Sequence, residues 1–90
     1  IYAGECYELS VSLTDQYPYH PPNVVFSGSS PQHEHVYSNG HICLDILYDS
    51  WSPALTIHSV CLSIMSMLAS ARCKRRPPDD GQYVARVGTR

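Results

Sequence analysis

Residues 56–70 read Thr56-Ile57-His58-Ser59-Val60-Cys61-Leu62-Ser63-Ile64-Met65-Ser66-Met67-Leu68-Ala69-Ser70. Ile57, Val60, Cys61, Ile64 and Leu68 fall at i, i+3, i+4, i+7 and i+11, one apolar stripe at helical spacing. Thr56 is a suitable N-cap, because its hydroxyl can accept from a backbone N–H that the first turn leaves unpaired. The spacing predicts a helix over 57–70, about 20 Å long at ~1.5 Å per residue. Leu62, Met65 and Met67 widen the stripe, so this helix is expected to be largely buried. Pro77-Pro78 stops any continuation, and no other stretch reads convincingly as a helix.

Upstream the period changes from helical to two. Tyr7, Leu9, Val11 and Leu13 share one face of Glu5–Leu13, and Cys6, Glu8, Ser10 and Ser12 share the other. That alternation predicts a strand with one face on a core. Pro18, Pro21 and Pro22 end it and force an irregular connection. Val24, Val25 and Phe26 make a second short strand, and Ser27–Pro31 a polar turn. Asn39-Gly40 is a tight-turn signal, because both residues tolerate positive φ. His33–Tyr37 and His41–Leu47 are therefore expected to fold back on each other, and Trp51-Ser52-Pro53 is the next break. Short strands followed by one helix give an α+β domain, an antiparallel meander packed on the helix about 57–70.

Ninety residues allow a single small domain, here taken as 1–90. With 43% apolar and 16% charged residues the chain is not of disordered composition. A formal charge of −2 argues against nucleic acid or a membrane surface as partner. No apolar run approaches the ~18 residues of a spanning helix. The chain begins at Ile1 in mid-pattern, as a fragment would. Cys6, Cys43, Cys61 and Cys73 contain no C-x-x-C pair, and nothing signals secretion. Reduced thiols in the cytoplasm or nucleus are the expectation.

The chemistry concentrates in His33-Glu34-His35-Val36-Tyr37-Ser38-Asn39-Gly40-His41-Ile42-Cys43-Leu44. One reading is a nucleophilic thiol. Cys43 follows a tight turn near a structural break, and a thiolate forms thioesters by acyl exchange. His35 and His41 could then polarise the site or donate to an oxyanion. A second reading is zinc, because His33-x-His35 and His41-x-Cys43 could face each other across a hairpin. The third is a set of ordinary loop histidines beside a half-buried cysteine. Cys61 lies on the helix stripe and reads as a core residue; Cys6 and Cys73 read as incidental. Arg72, Lys74, Arg75 and Arg76 read as a solvated cluster favoured by the helix dipole, or as a partner-docking patch. Tyr17 and Tyr19, between prolines, either pack under their loop or form a docking surface with Pro53 and Ala54.

Three ordered motifs resemble the ubiquitin-conjugating enzyme (E2) family. Tyr17-Pro18-Tyr19-His20-Pro21-Pro22-Asn23-Val24 is similar to its Y-P-[F/Y]-x-P-P-x-V stretch. Ser38-Asn39-Gly40-His41-Ile42-Cys43-Leu44-Asp45-Ile46-Leu47 is similar to the segment around its active-site cysteine. Trp51-Ser52-Pro53-Ala54-Leu55-Thr56-Ile57 resembles the approach to its long central helix. The resemblance covers roughly residues 2–80.

It implies a four-stranded antiparallel sheet with flanking helices. Ile1-Tyr2-Ala3-Gly4 matches the turn before the family's second strand, so the first helix, the first strand and most of the C-terminal helices are expected to be missing. The resemblance also implies that Cys43 accepts ubiquitin from the activating enzyme (E1) as a thioester and passes it to an amine of a protein substrate with a RING-type ligase (E3). Asp45 then sits at the rim of the site. Pro18 and Tyr19 match the first ligase-binding loop, and Pro53 and Ala54 the second. No metal or organic cofactor is implied. His33-Glu34-His35 occupies the place of the family's His-Pro-Asn, with His35 where the Asn assists the oxyanion. His35, the Tyr37–Cys43 run and Arg75-Arg76-Pro77-Pro78-Asp79 resemble the W-type branch, which ubiquitinates protein N-termini, and its plant members. Glu34 departs from the pattern, replacing a rigid proline and adding negative charge near the thiol. The alternative is an impaired E2-like module that binds ligase or ubiquitin without turnover.

Overall fold

The computed structural model describes residues 1–88. Strands β1 (Glu8–Ser12) and β2 (Asn23–Ser27) pair antiparallel, with Glu8 opposite Ser27 and Ser12 opposite Asn23. The alternation over Glu5–Leu13 extends beyond the regular ladder. β2 limits it: Pro22 has no N–H to donate, and Gly28 turns the chain away at φ +70°. Tyr7 and Leu9 pack on the core as expected, whereas Val11 (40% exposed) and Leu13 (56%) run past its edge.

The predicted hairpin lies along the other edge of β2. Phe26 N–H donates to Gly40 O at 2.9 Å, and Val25 bridges His41. Within it Val36 bridges Ile42, Tyr37 N–H donates to His41 O (2.9 Å), and Cys43 N–H donates to His35 O (2.8 Å). At the tip only Gly40 takes positive φ, +92°. Asn39 serves the turn differently, its Oδ1 accepting from His41 N–H at 3.1 Å. The extended segment ends at Cys43. Asp45–Leu47 coils into one 3-10 turn instead of continuing the expected strand.

Helix α1 (Ile57–Ala69) forms where predicted. Thr56 caps it reciprocally: Ser59 N–H donates to Thr56 Oγ1 at 3.1 Å, and Thr56 N–H donates to Ser59 Oγ at 3.3 Å. Val60 and Ile64 are buried against Val24, Phe26, Val36, Ile42 and Leu47, a gain of about 1.5–3 kcal/mol for each side chain. The widened stripe is corrected in part. Met67 packs against the core as expected, whereas Leu62 (51% exposed) and Met65 (65%) project from the side opposite Val60.

A second helix, α2 (Asp80–Val87), follows Pro77-Pro78 where no helix was expected. The basic cluster leads into it and does not serve the α1 dipole, since α1 has no basic residue in its last turn. Lys74 pairs with Glu5. Arg76 is half-buried. Its Nη1 donates to Pro31 O (2.9 Å), Ser30 Oγ (3.1 Å) and Val36 O (3.2 Å), and its Nη2 donates to Ser30 O (3.1 Å). Arg76 therefore pins the segment between the two helices to the hairpin, and is neither simply solvated nor a docking residue.

Candidate active site

Cys43 ends the extended arm of the hairpin, and its side chain is exposed. Two hollows flank it. The larger, about 560 Å³, is lined by His35, Leu44, Asp45, Tyr48, Asp49 and Met67 together with Cys43. The smaller, about 200 Å³, lies between Cys43 and α2, with Tyr37, His41, Ile42, Tyr48 and Tyr83 as its walls. The sequence reading therefore placed Cys43, His35 and Asp45 at one site, and the fold brings all three to the same hollow.

His35 is held through its backbone. Its N–H donates to His33 Nδ1 at 3.0 Å, and its carbonyl accepts from Cys43 N–H. The first bond fixes the tautomer of His33, because an Nδ1 that accepts carries no proton. Nε2 is then the protonated nitrogen and donates to Met67 O of α1 at 3.2 Å. His33 is 4% exposed, and burial holds its pKa below the usual histidine value, the direction its accepting role needs. His33 thus links the end of α1 to the arm that carries the thiol.

Asp45 is exposed, and its Oδ1 accepts from Ile46 N–H at 2.9 Å, which opens the 3-10 turn beside Cys43. Tyr48, at the end of that turn, donates its hydroxyl to Ile42 O at 3.1 Å. Glu34 lines a third hollow with Arg72, Cys73 and Arg75, which adjoins the larger one through His35 and Met67. Cys73 first, and Glu34 after it, favour the charged Arg75 guanidinium.

The zinc reading fails on geometry. Both ring nitrogens of His33 are engaged with backbone groups, His41 Nδ1 lies 2.7 Å from Tyr83 Oη, and no metal-holding cluster exists among the described residues. All four cysteines are free thiols. Cys61 is only half-buried. Cys73 Sγ accepts from Arg75 Nε (3.1 Å) and Nη2 (2.9 Å), a partner that sequence inspection did not supply.

The two loops carrying aromatic and proline residues do meet. Trp51 Nε1 donates to Pro18 O at 2.8 Å, and the Tyr17 and Trp51 rings lie 6.1 Å apart. Tyr17 thus packs inward. Pro18, Tyr19 (77% exposed), Pro53 and Ala54 remain at the surface on adjoining loops.

Tyr37 and Tyr83 were not singled out as site residues. Their rings stack at 3.8 Å with 17° between planes, and Tyr37 donates its hydroxyl to Asp79 (3.1 Å to Oδ1). Burial and then this bond push the Tyr37 phenol up to about 12. The signal for α2 was Pro77-Pro78-Asp79-Asp80, prolines and acids where a helix begins. The two carboxylates serve the hairpin: Asp80 Oδ1 accepts from Ser38 N–H at 2.7 Å, and Asp79 holds Tyr37.

Comparison with known proteins agrees with this geometry. The family described as "Ubiquitin-conjugating enzyme" matches residues 1–86. Ubiquitin-conjugating enzyme 15 of Arabidopsis thaliana is 58% identical over 84 residues, 93% of this chain and 52% of that protein. A probable ubiquitin-conjugating enzyme E2 W of Dictyostelium discoideum is 58% identical over 87 residues, 97% of this chain and 58% of that protein. The crystal structure of ubiquitin conjugating enzyme E2 UbcA1 from Agrocybe aegerita superposes with a TM-score of 0.90 at 46% identity, covering 91% of this chain and 61% of that one. The chain thus spans about half the length of the curated relatives it matches. Motifs, fold and relatives agree: the chain belongs to the ubiquitin-conjugating enzyme family.

Proposed function

We propose that the chain is the catalytic core of a ubiquitin-conjugating enzyme, in which Cys43 accepts the ubiquitin carboxyl terminus from the activating enzyme. The observation that carries the reading is an exposed, unpaired thiol at the meeting point of two hollows, with His35 and Asp45 beside it. An incoming neutral amine attacks the thioester carbonyl carbon. The C–N bond forms, the C–S bond breaks, the sulfur leaves as thiolate and the amine's surplus proton passes to water. His35 helps hold the oxyanion and Asp45 conditions the rim. A RING-type ligase engages the exposed Pro18, Tyr19, Pro53 and Ala54. The reading calls for a reducing compartment, cytosol or nucleus, where the thiol persists.

The acceptor is a protein α-amino group. Such a group has a pKa of about 7.7–8.0, against about 10.4 for lysine, so near pH 7 about a tenth is neutral and nucleophilic, against less than about a thousandth of lysine side chains. A site with His35 in place of an amide side chain suits the amine that needs less help losing its proton. The alternative, an impaired module that binds ligase or ubiquitin without turnover, is what the charging reaction decides; Glu34 lines the hollow of Arg72 and Arg75, which adjoins the larger hollow beside Cys43 through His35 and Met67.

The test is a charging reaction with activating enzyme, ubiquitin and Mg-ATP, run on a non-reducing gel beside Cys43→Ser. A thiol-sensitive adduct of one ubiquitin, absent from the Cys43→Ser lane, is the expected result. No adduct from folded protein would overturn the catalytic reading. Discharge onto a peptide with a free N-terminus, against the same peptide acetylated, tests the acceptor class, and equal modification of both would overturn it.

A further inference from the structure

The small hollow between Cys43 and α2 holds a residue that the resemblance did not assign. Tyr83 belongs to α2, forty residues beyond the nucleophile, yet it organises two of the side chains around that hollow. Its ring stacks on Tyr37 at 3.8 Å, and its hydroxyl lies 2.7 Å from His41 Nδ1. His41 and Cys43 stand at i, i+2 on an extended arm, so their side chains leave the same face with about 6.5 Å between Cα atoms. Both line the small hollow, so a group that enters it meets His41 and Cys43 together. At about 200 Å³ the hollow falls below the size of a drug-like ligand site, and it suits one small group rather than an extended chain. The larger hollow of about 560 Å³ shares His35 and Met67 with the neighbouring one of about 480 Å³, and is the side with room for a longer segment.

α2 is tied down so that Tyr83 keeps its place. Asp79 receives the Tyr37 hydroxyl, Asp80 Oδ1 receives Ser38 N–H, and Asn39 Nδ2 donates to Gly88 O at 2.7 Å. Three contacts spread from one end of an eight-residue helix to the other clasp it to the hairpin tip, with Tyr83 on the side facing Cys43.

We propose that Tyr83 is a positioning residue for the transfer step: it holds His41 and Tyr37 as the wall against which the acceptor amine meets the acyl group on Cys43. This rests on the proposed function, and it concerns the step after charging. Tyr83 contacts His41 and Tyr37, and through them sets where the amine sits.

The experiment preloads the chain with ubiquitin, stops the activating enzyme, and follows thioester loss against the concentration of a peptide with a free α-amine. It compares wild type, Tyr83→Phe, His41→Ala and the double variant. Tyr83→Phe keeps the ring stacked on Tyr37 and removes only the hydroxyl at His41. The maximal discharge rate is expected to fall about fivefold, the scale of one hydrogen bond, while the half-saturating peptide concentration stays put. The double variant should discharge no slower than His41→Ala, because the hydroxyl acts through His41. A merely structural role would lower charging and discharge together with the folded fraction. Discharge by Tyr83→Phe at the wild-type rate, or independent additive losses in the double variant, would overturn the inference alone. Failure of the wild type to charge on Cys43 would remove the proposed function and this inference with it.

Discussion

Replacing Arg76 by Met keeps an unbranched stem of similar bulk and removes the guanidinium. The two protons on Nη1 serve Pro31 O, Ser30 Oγ and Val36 O, and Nη2 serves Ser30 O. Counted by protons, that is about three effective bonds from a charged donor, each worth ~1.5–3 kcal/mol when buried. Arg76 is only half-buried, and solvent can partly replace it, so about 1 kcal/mol per bond is the figure to use. The sum is about 3 kcal/mol. A domain of this size changes its melting temperature by about 4–8 °C per kcal/mol, which gives a fall of about 12–24 °C. Arg76→Lys keeps the charge and one or two contacts, and should lose about half as much. Urea titration followed by circular dichroism measures both, with an unchanged slope showing that the unfolded state is unaltered. An Arg76→Met protein within about 1 kcal/mol of wild type would refute the clasp. The cluster Arg72–Arg76 would then be the solvated patch that sequence alone suggests.

Gly40→Ala should be among the most damaging single changes, because φ there is +92° and the new Cβ would lie 2.2 Å from Phe26 O; a fall of at least about 12 °C is expected, and a melt within about 4 °C of wild type would contradict the packing. His33 makes stability depend on pH. Its folded pKa is lowered by burial, so above the unfolded value of about 6.5 neither state binds the proton, and below it the unfolded state binds first and stability falls as pH drops toward the folded pKa. The urea midpoint of wild type should therefore drop between pH 7.5 and 5.5 by more than that of His33→Gln, and equal drops would show that His33 titrates as freely folded as unfolded.

Much of this was legible locally. The stripe from Ile57 to Leu68 and the hydroxyl of Thr56 fix α1 because a helix is decided by contacts three and four residues apart. Asn39-Gly40 fixes the hairpin tip, since a glycine takes the positive φ of the turn without strain. The motif around Cys43 marked the thiol, and its neighbours His35 and Asp45 came with it because a turn and a short extended arm keep them within a few residues. Helix α2 escaped notice because its eight residues include Gly81 and offer only Tyr83, Val84 and Val87 as an apolar face. Its stability comes from the hairpin it packs on, which local sequence does not report.

The sequence by itself determined the order of strands, hairpin and helix, the place of the candidate thiol Cys43 and the family. These rest on periodicity, turn chemistry and motif, all properties of neighbours along the chain. Tertiary structure decided the rest. It set Glu34 in one hollow with Arg72 and Arg75, fixed the tautomer of His33 between His35 and Met67, made Arg76 a clasp, and set Tyr83 beside Cys43. Each joins groups that chain connectivity leaves apart or points in no set direction. Such pairings follow from which surfaces pack together, a decision made by the whole core around Val36, Ile42 and Val60 and by no single stretch of residues.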